Sequence, residues 1–255
     1  MSAFCGAYRS LSIFSVRCLL FHNQHPSSHP MSSTEMSVTE VLRTRFSIRA
    51  FRDTPVPLEV LEEIFALARY APSNCNVQPC QAYVVSGAKK DQLKAELVQA
   101  VSSGRPPNPD FEWNISYQGA HRERQFGSAN ALYSAMGIDR KDKQRRQAAM
   151  LRNWRFFDAP HAAFFTMEKY LGMTGAVDLG IYAQTLALLM AERGISSCMQ
   201  GALGMFPDAA RRMFALPDEV GILFGMSFGF PDDAAPANKA RTDRVPADLS
   251  VRFFK

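Results

Sequence analysis

The chain has 255 residues, 47% of them hydrophobic and 21% charged, which is enough apolar side chain for one domain with a sizeable core. A net charge of +5 suits an anionic ligand. No interleaved basic and aromatic patch argues for nucleic acid, and no apolar run of about 18 residues argues for a membrane span. The five cysteines include no Cys-x-x-Cys pair, which speaks against a zinc site or a disulfide framework and for a reducing, cytoplasmic setting.

Residues 1–36 differ from the rest, being rich in Ser and His, with Arg9 and Arg17 and no acidic residue before Glu35. They suit a leader, an over-long start or a disordered extension, and are expected to lie outside the chemistry of a domain over 37–255. Ser37 predicts the cap of a short helix from Val38 to about Thr44. Arg45-Phe46-Ser47-Ile48-Arg49-Ala50-Phe51 follows, with polar and apolar residues in alternation. Extended, it turns Arg45, Ser47 and Arg49 to one side, where two guanidinium forks and a hydroxyl can hold a phosphate. A solvated basic edge over core phenylalanines is the plainer alternative. Pro57 then opens a second helix, with Leu58, Leu61, Ile64, Phe65 and Ala68 at helical spacing.

The stretch Ala71-Pro72-Ser73-Asn74-Cys75-Asn76-Val77-Gln78-Pro79 has no apolar period. Lying between that helix and a buried strand at 82–85, it reads as a surface turn or as a loop of amides and hydroxyls facing a ligand. A helix is expected over 89–103. Residues 105–135 read as a lid-like excursion, in which Phe111, Trp113 and Tyr133 either pack the segment down or stack on an aromatic ligand. A polar, basic helix is expected over 139–155, a core strand over 159–166, and the most apolar helix over 174–193, stopped by Gly194. His121 and His161 are isolated and read as ordinary polar or core histidines. Asp178 complements the dipole at the start of the apolar helix. A short strand at 196–199 leads into Gln200-Gly201-Ala202-Leu203-Gly204, where glycine lets backbone amides approach a planar ligand. Pro207 opens another helix and 222–228 another core strand. Lys239, Arg241 and Arg244 form a second basic cluster.

Four stretches, Arg-x-Ser-x-Arg-x-Phe at 45–51, Ala-Pro-Ser-Asn-x-Asn-x-Gln-Pro at 71–79, Gln-Gly-Ala-Leu-Gly at 200–204 and Arg-Thr-x-Arg-x-Pro at 241–246, together resemble the nitroreductase family of FMN-dependent oxidoreductases. The resemblance runs over about 37–255. It implies an α+β fold with a mixed, mainly antiparallel central sheet surrounded by helices, in an obligate homodimer with FMN at the interface. It assigns the FMN phosphate to Arg45, Ser47 and Arg49, with Phe46 beside them, and to Arg244 and Arg241, with Lys239 behind these. Thr242 stands where relatives often carry Lys. Pro72, Ser73, Asn74 and Asn76 would reach the flavin from the partner subunit. Gln200, Gly201, Ala202 and Leu203 would lie beside its ring, with the Gly201 N–H toward N5, and Asp178 stands near a position that relatives place close to the flavin. Cys80 replaces a common Trp and is expected as a small buried hydrophobe. The implied activity is ping-pong reduction of nitroaromatic compounds with NADH or NADPH, with no side-chain acid or base required. A quinone reductase or dehalogenase of the same superfamily, or a non-catalytic FMN-binding protein, is the alternative.

Overall fold

The computed structural model describes residues 36–112 and 116–255. The expectations for residues 1–35 and for Trp113 lie outside the described residues. Helix α1 (Val38–Thr44) opens on a capping box: the Ser37 hydroxyl accepts from the Glu40 N–H, and the Glu40 carboxylate accepts from the Ser37 N–H at 2.7 Å. After the extended 45–51 segment, α2 (Leu58–Ala68) turns Leu61, Ile64 and Ala68 inward. The polar loop leads to β1 (Gln81–Ser86) and α3 (Gly87–Ser102). Then come α4 (Gly119–Ala135), α5 (Lys143–Leu151), β2 (His161–Glu168) and α6 (Gly172–Glu192). The chain ends through β3 (Ser196–Gln200), α7 (Asp208–Phe214), β4 (Val220–Gly229) and α8 (Ala247–Ser250).

The strands form one sheet in the order β1-β2-β4-β3, and all three pairings are antiparallel. Successive side chains of a strand point to opposite faces, so β2 feeds two cores. Phe165 and Met167 meet Ile64 of α2 and Leu179 and Leu186 of α6 on one face. Ala162 and Phe164 meet Leu93 and Leu97 of α3, with Phe206 and Ala210, on the other. A sheet covered on both faces by helices is the α+β architecture expected.

With the short turn before it, α6 is long and apolar enough to cross a membrane by length and composition. Here it is the central core helix, burying Leu179, Ala183, Leu186, Ala187 and Met190 against the sheet and α2. Two expectations are corrected. The excursion read over 105–135 is helical in its second half, where α4 runs Gly119–Ala135, and the basic helix of 139–155 is shorter, at Lys143–Leu151. No residue of α4 is fully buried, so no apolar stripe was needed to form it and none marked it.

Candidate active site

The 45–51 segment is extended and tacked along the sheet at the end of β4. Ile48 N–H donates to the Ser197 carbonyl at 3.2 Å, Arg52 N–H to the Phe230 carbonyl at 2.9 Å, and Phe51 bridges Pro231. Ile48 and Phe51 go into the core, while Arg45, Ser47 and Arg49 line a groove of about 570 Å³. Arg241, Thr242 and Arg244 form a second wall, and Ser128 and Leu132 of α4 contribute to the same groove.

Asn238 sews the two walls together. Its Oδ1 accepts the Arg49 N–H at 2.8 Å, and its Nδ2 donates to the carbonyls of Ala50 and Asp232, each at 2.8 Å. The Arg241 guanidinium stacks 3.6 Å from the centroid of the Phe46 ring. No carboxylate lines the groove, and among the described residues Arg45, Arg49, Arg241 and Arg244 make no ion pair. Converging guanidinium groups without counter-charge repel one another, and a phosphate, with three acceptor oxygens, relieves that cost.

The polar loop makes a separate place. Cys75, Asn76 and Gln78 all have left-handed backbone, at φ 47°, 58° and 48°. Two clamps hold this shape: Ser73 Oγ accepts the Gln78 N–H at 2.9 Å, and Asp178 Oδ1 accepts the Asn74 N–H at 3.1 Å. Asp178 is buried, and its Oδ2 has no partner among the described residues. Pro72, Ser73 and Asp178 border a cavity of about 210 Å³, whereas Asn74 and Asn76 point outward as exposed side chains. Within one subunit this loop and the arginine groove line different cavities. Cys80 sits half-buried at the same place, where burial pushes its thiol up to about 12 and leaves it unreactive.

The Gly201–Gly204 turn lies flat on β4, because a Cβ on Gly204 would come 2.5 Å from the Leu223 carbonyl oxygen. The Gln200 side chain is buried and spent internally: it accepts from the Ser227 hydroxyl and donates Nε2 to the Asn153 carbonyl at 2.8 Å. The Trp154 indole donates to the Ala202 carbonyl at 3.0 Å, and Leu203 is fully buried. This turn therefore offers backbone rather than side chains. Phe111 packs over Gly221, at the opposite end of β4 from the arginines, and Tyr133 lies under Arg146 behind α4. None of the described aromatics of the excursion, Phe111, Tyr117, Phe126 and Tyr133, lines the arginine groove. His161 is a core residue: Nε2 accepts the Val56 N–H at 2.9 Å, so Nδ1 carries the proton and faces the Ser86 hydroxyl. Burial, helped by nearby Lys90, lowers its pKa to about 4.

The sequence reading missed Asn238, Ser128 and Leu132. An asparagine at the head of a basic cluster was the one available sign of the first. The other two lie on a helix that the pattern concealed.

Fold and groove together define an α+β protein with an arginine-lined groove, suited to an anion, at the end of its central sheet. The model of the nitroreductase family matches residues 42–230. Nitroreductase NfnB of Mycolicibacterium smegmatis is 36% identical over 227 residues, which is 89% of this chain and 96% of that protein. Nitrobenzene nitroreductase of Ectopseudomonas oleovorans is 32% identical, over 86% of this chain and 98% of its own. The crystal structure of the FMN-dependent nitroreductase NfnB from Mycobacterium smegmatis in complex with NADPH superposes with a TM-score of 0.81 at 37% identity, over 85% of this chain and 97% of that one. The chain belongs to the nitroreductase family.

Proposed function

We propose that this chain is an FMN-dependent NAD(P)H oxidoreductase that reduces nitroaromatic compounds. The observation that carries this reading is the arginine groove, charged and without a counter-ion among the described residues. Relatives at 30% identity and above support the chemistry, among them the NADPH complex, the nitrobenzene enzyme and a 4-nitrobenzoate reductase of Nocardioides at 32% identity.

Arg45, Ser47, Arg49, Arg241 and Arg244 hold the FMN phosphate, with Phe46 setting the plane of Arg241. Bound FMN supplies a two-electron carrier that the nicotinamide reduces and the nitro group oxidises. The Gly201–Leu203 backbone flanks the ring, its donors favouring negative charge there. Pro72, Ser73, Asn74 and Asn76 serve the site of a second subunit, which accords with their separation from this subunit's groove. An exposed apolar row on α6, Met173, Val177 and Ile181 at four-residue spacing, is a face for that homodimer. Residues 37–255 form the catalytic domain, in the cytoplasm, with 105–135 as its lid and residues 1–36 outside the chemistry.

The test is the visible spectrum of the purified protein, first under anaerobic NADH or NADPH and then with nitrobenzene added. A flavin band that bleaches with the nicotinamide and returns with the nitro compound is the expected result. Protein that stays colourless after incubation with FMN would overturn the reading.

A further inference from the structure

We propose that the cavity behind α4 is a second binding site, selective for a single-ring aromatic carboxylate. An α-helix turns about 100° per residue. Ser128 and Leu132 face the arginine groove, so Phe126, Asn130 and Tyr133 face the opposite side of the same helix. A cavity of about 260 Å³ opens there. This lies just under the roughly 300–1,000 Å³ of pockets that enclose drug-sized ligands, and so suits one ring with one substituent.

Its walls supply two kinds of recognition. Arg140 and Arg146 line it, no carboxylate does, and neither arginine makes an ion pair among the described residues. The Arg146 guanidinium is already fixed in place. It lies 5.2 Å over the Tyr133 ring and donates Nη1 to the Arg140 carbonyl at 3.1 Å. Its Nε is buried and has no acceptor among the described residues. A buried donor on a held, charged group leaves its desolvation cost uncompensated until an anion arrives. A carboxylate answers it, since its two oxygens match the guanidinium fork. Beside the polar Asn130 and Ser134, Phe126, Tyr133 and Ile138 give the cavity aromatic and aliphatic surface, which a bare inorganic anion would leave unused and a ring would cover.

The site stands apart from the groove, so its failure would leave the flavin reading intact, and a colourless protein would defeat that reading alone. The experiment is calorimetric titration of the full chain, kept saturated with FMN, using benzoate, benzamide and inorganic phosphate. Saturable benzoate binding is expected, at least tenfold tighter than benzamide or phosphate, and at least tenfold weakened in both Arg146→Met and Arg140→Met. Arg140 is exposed, so its variant carries the test if Arg146→Met fails to fold. Absence of saturable benzoate binding would overturn the proposal, as would binding that survives the Arg140→Met change or benzamide binding of equal strength.

Discussion

Arginine plays opposite parts at the two ends of β4. At the start of the strand Arg211 is enclosed: Nη1 reaches Asp110 Oδ1 at 3.1 Å and Oδ2 at 3.2 Å, and Nη2 donates to the Pro217 carbonyl at 2.8 Å. Asp110 is in turn met by Lys169 at 3.2 Å and by the Ile222 N–H at 2.9 Å. Past the other end, Arg45, Arg49, Arg241 and Arg244 spend what hydrogen bonds they have on nearby carbonyls and, for Arg244, the Thr242 hydroxyl, and meet no carboxylate among the described residues. The same side chain is satisfied within the fold where the chain supplies its counter-charge and left open to an anion where it does not. Removing a charge should therefore cost stability at one end and binding at the other.

Asp110→Ala should give the largest effect. It leaves the half-buried Arg211 with only the exposed Asp218 and two backbone carbonyls, and Lys169 without Asp110, a loss of about 3 kcal/mol that urea unfolding would measure, while FMN binding of the folded protein stays intact. The converse is Arg45→Ala with Arg49→Ala. Two charged hydrogen-bonding groups at roughly 1.5 kcal/mol each weaken FMN about a hundredfold, read by fluorescence titration, with the unfolding midpoint of the FMN-free protein unchanged or raised. A smaller effect tests a third way of satisfying a titratable group, burial in the neutral form. Folded His161 stays neutral down to about pH 4, whereas the unfolded chain takes up its proton near 6.5. Between those values the unfolded state binds more protons, so stability falls as pH falls, by about 2 kcal/mol at pH 5 relative to pH 7. Urea midpoints at the two pH values, against His161→Gln as the baseline, would reveal it; equal slopes in both proteins would refute it.

Much of this was legible in the sequence because local rules governed it. The alternation of Arg45, Ser47 and Arg49 with Ile48 and Phe51 is a period of two, and the backbone obeyed it. The buried strands and α6 announced themselves by continuous apolar residues, and Ser37 by its cap. What stayed hidden depended on partners distant in the chain. Phe111 and Tyr133 read alike as lid aromatics, yet Gly221 makes room for one ring and Arg146 covers the other. Gln200 read as a ligand contact, but Ser227 and Asn153 claim its amide. A residue type states what a side chain can do, and only the fold states what is beside it.

The stitch made by Asn238 spans 189 residues to Arg49. During synthesis the first two arginines leave the ribosome early, and the residues that close the groove emerge only after all four strands have been made. A chain cut short after β4 could complete its sheet and still lack half of its anion site. Retention of an anion in the groove would thus report that residues 238–244 have folded back onto the Arg45 wall, because a molecule lacking them has only that wall.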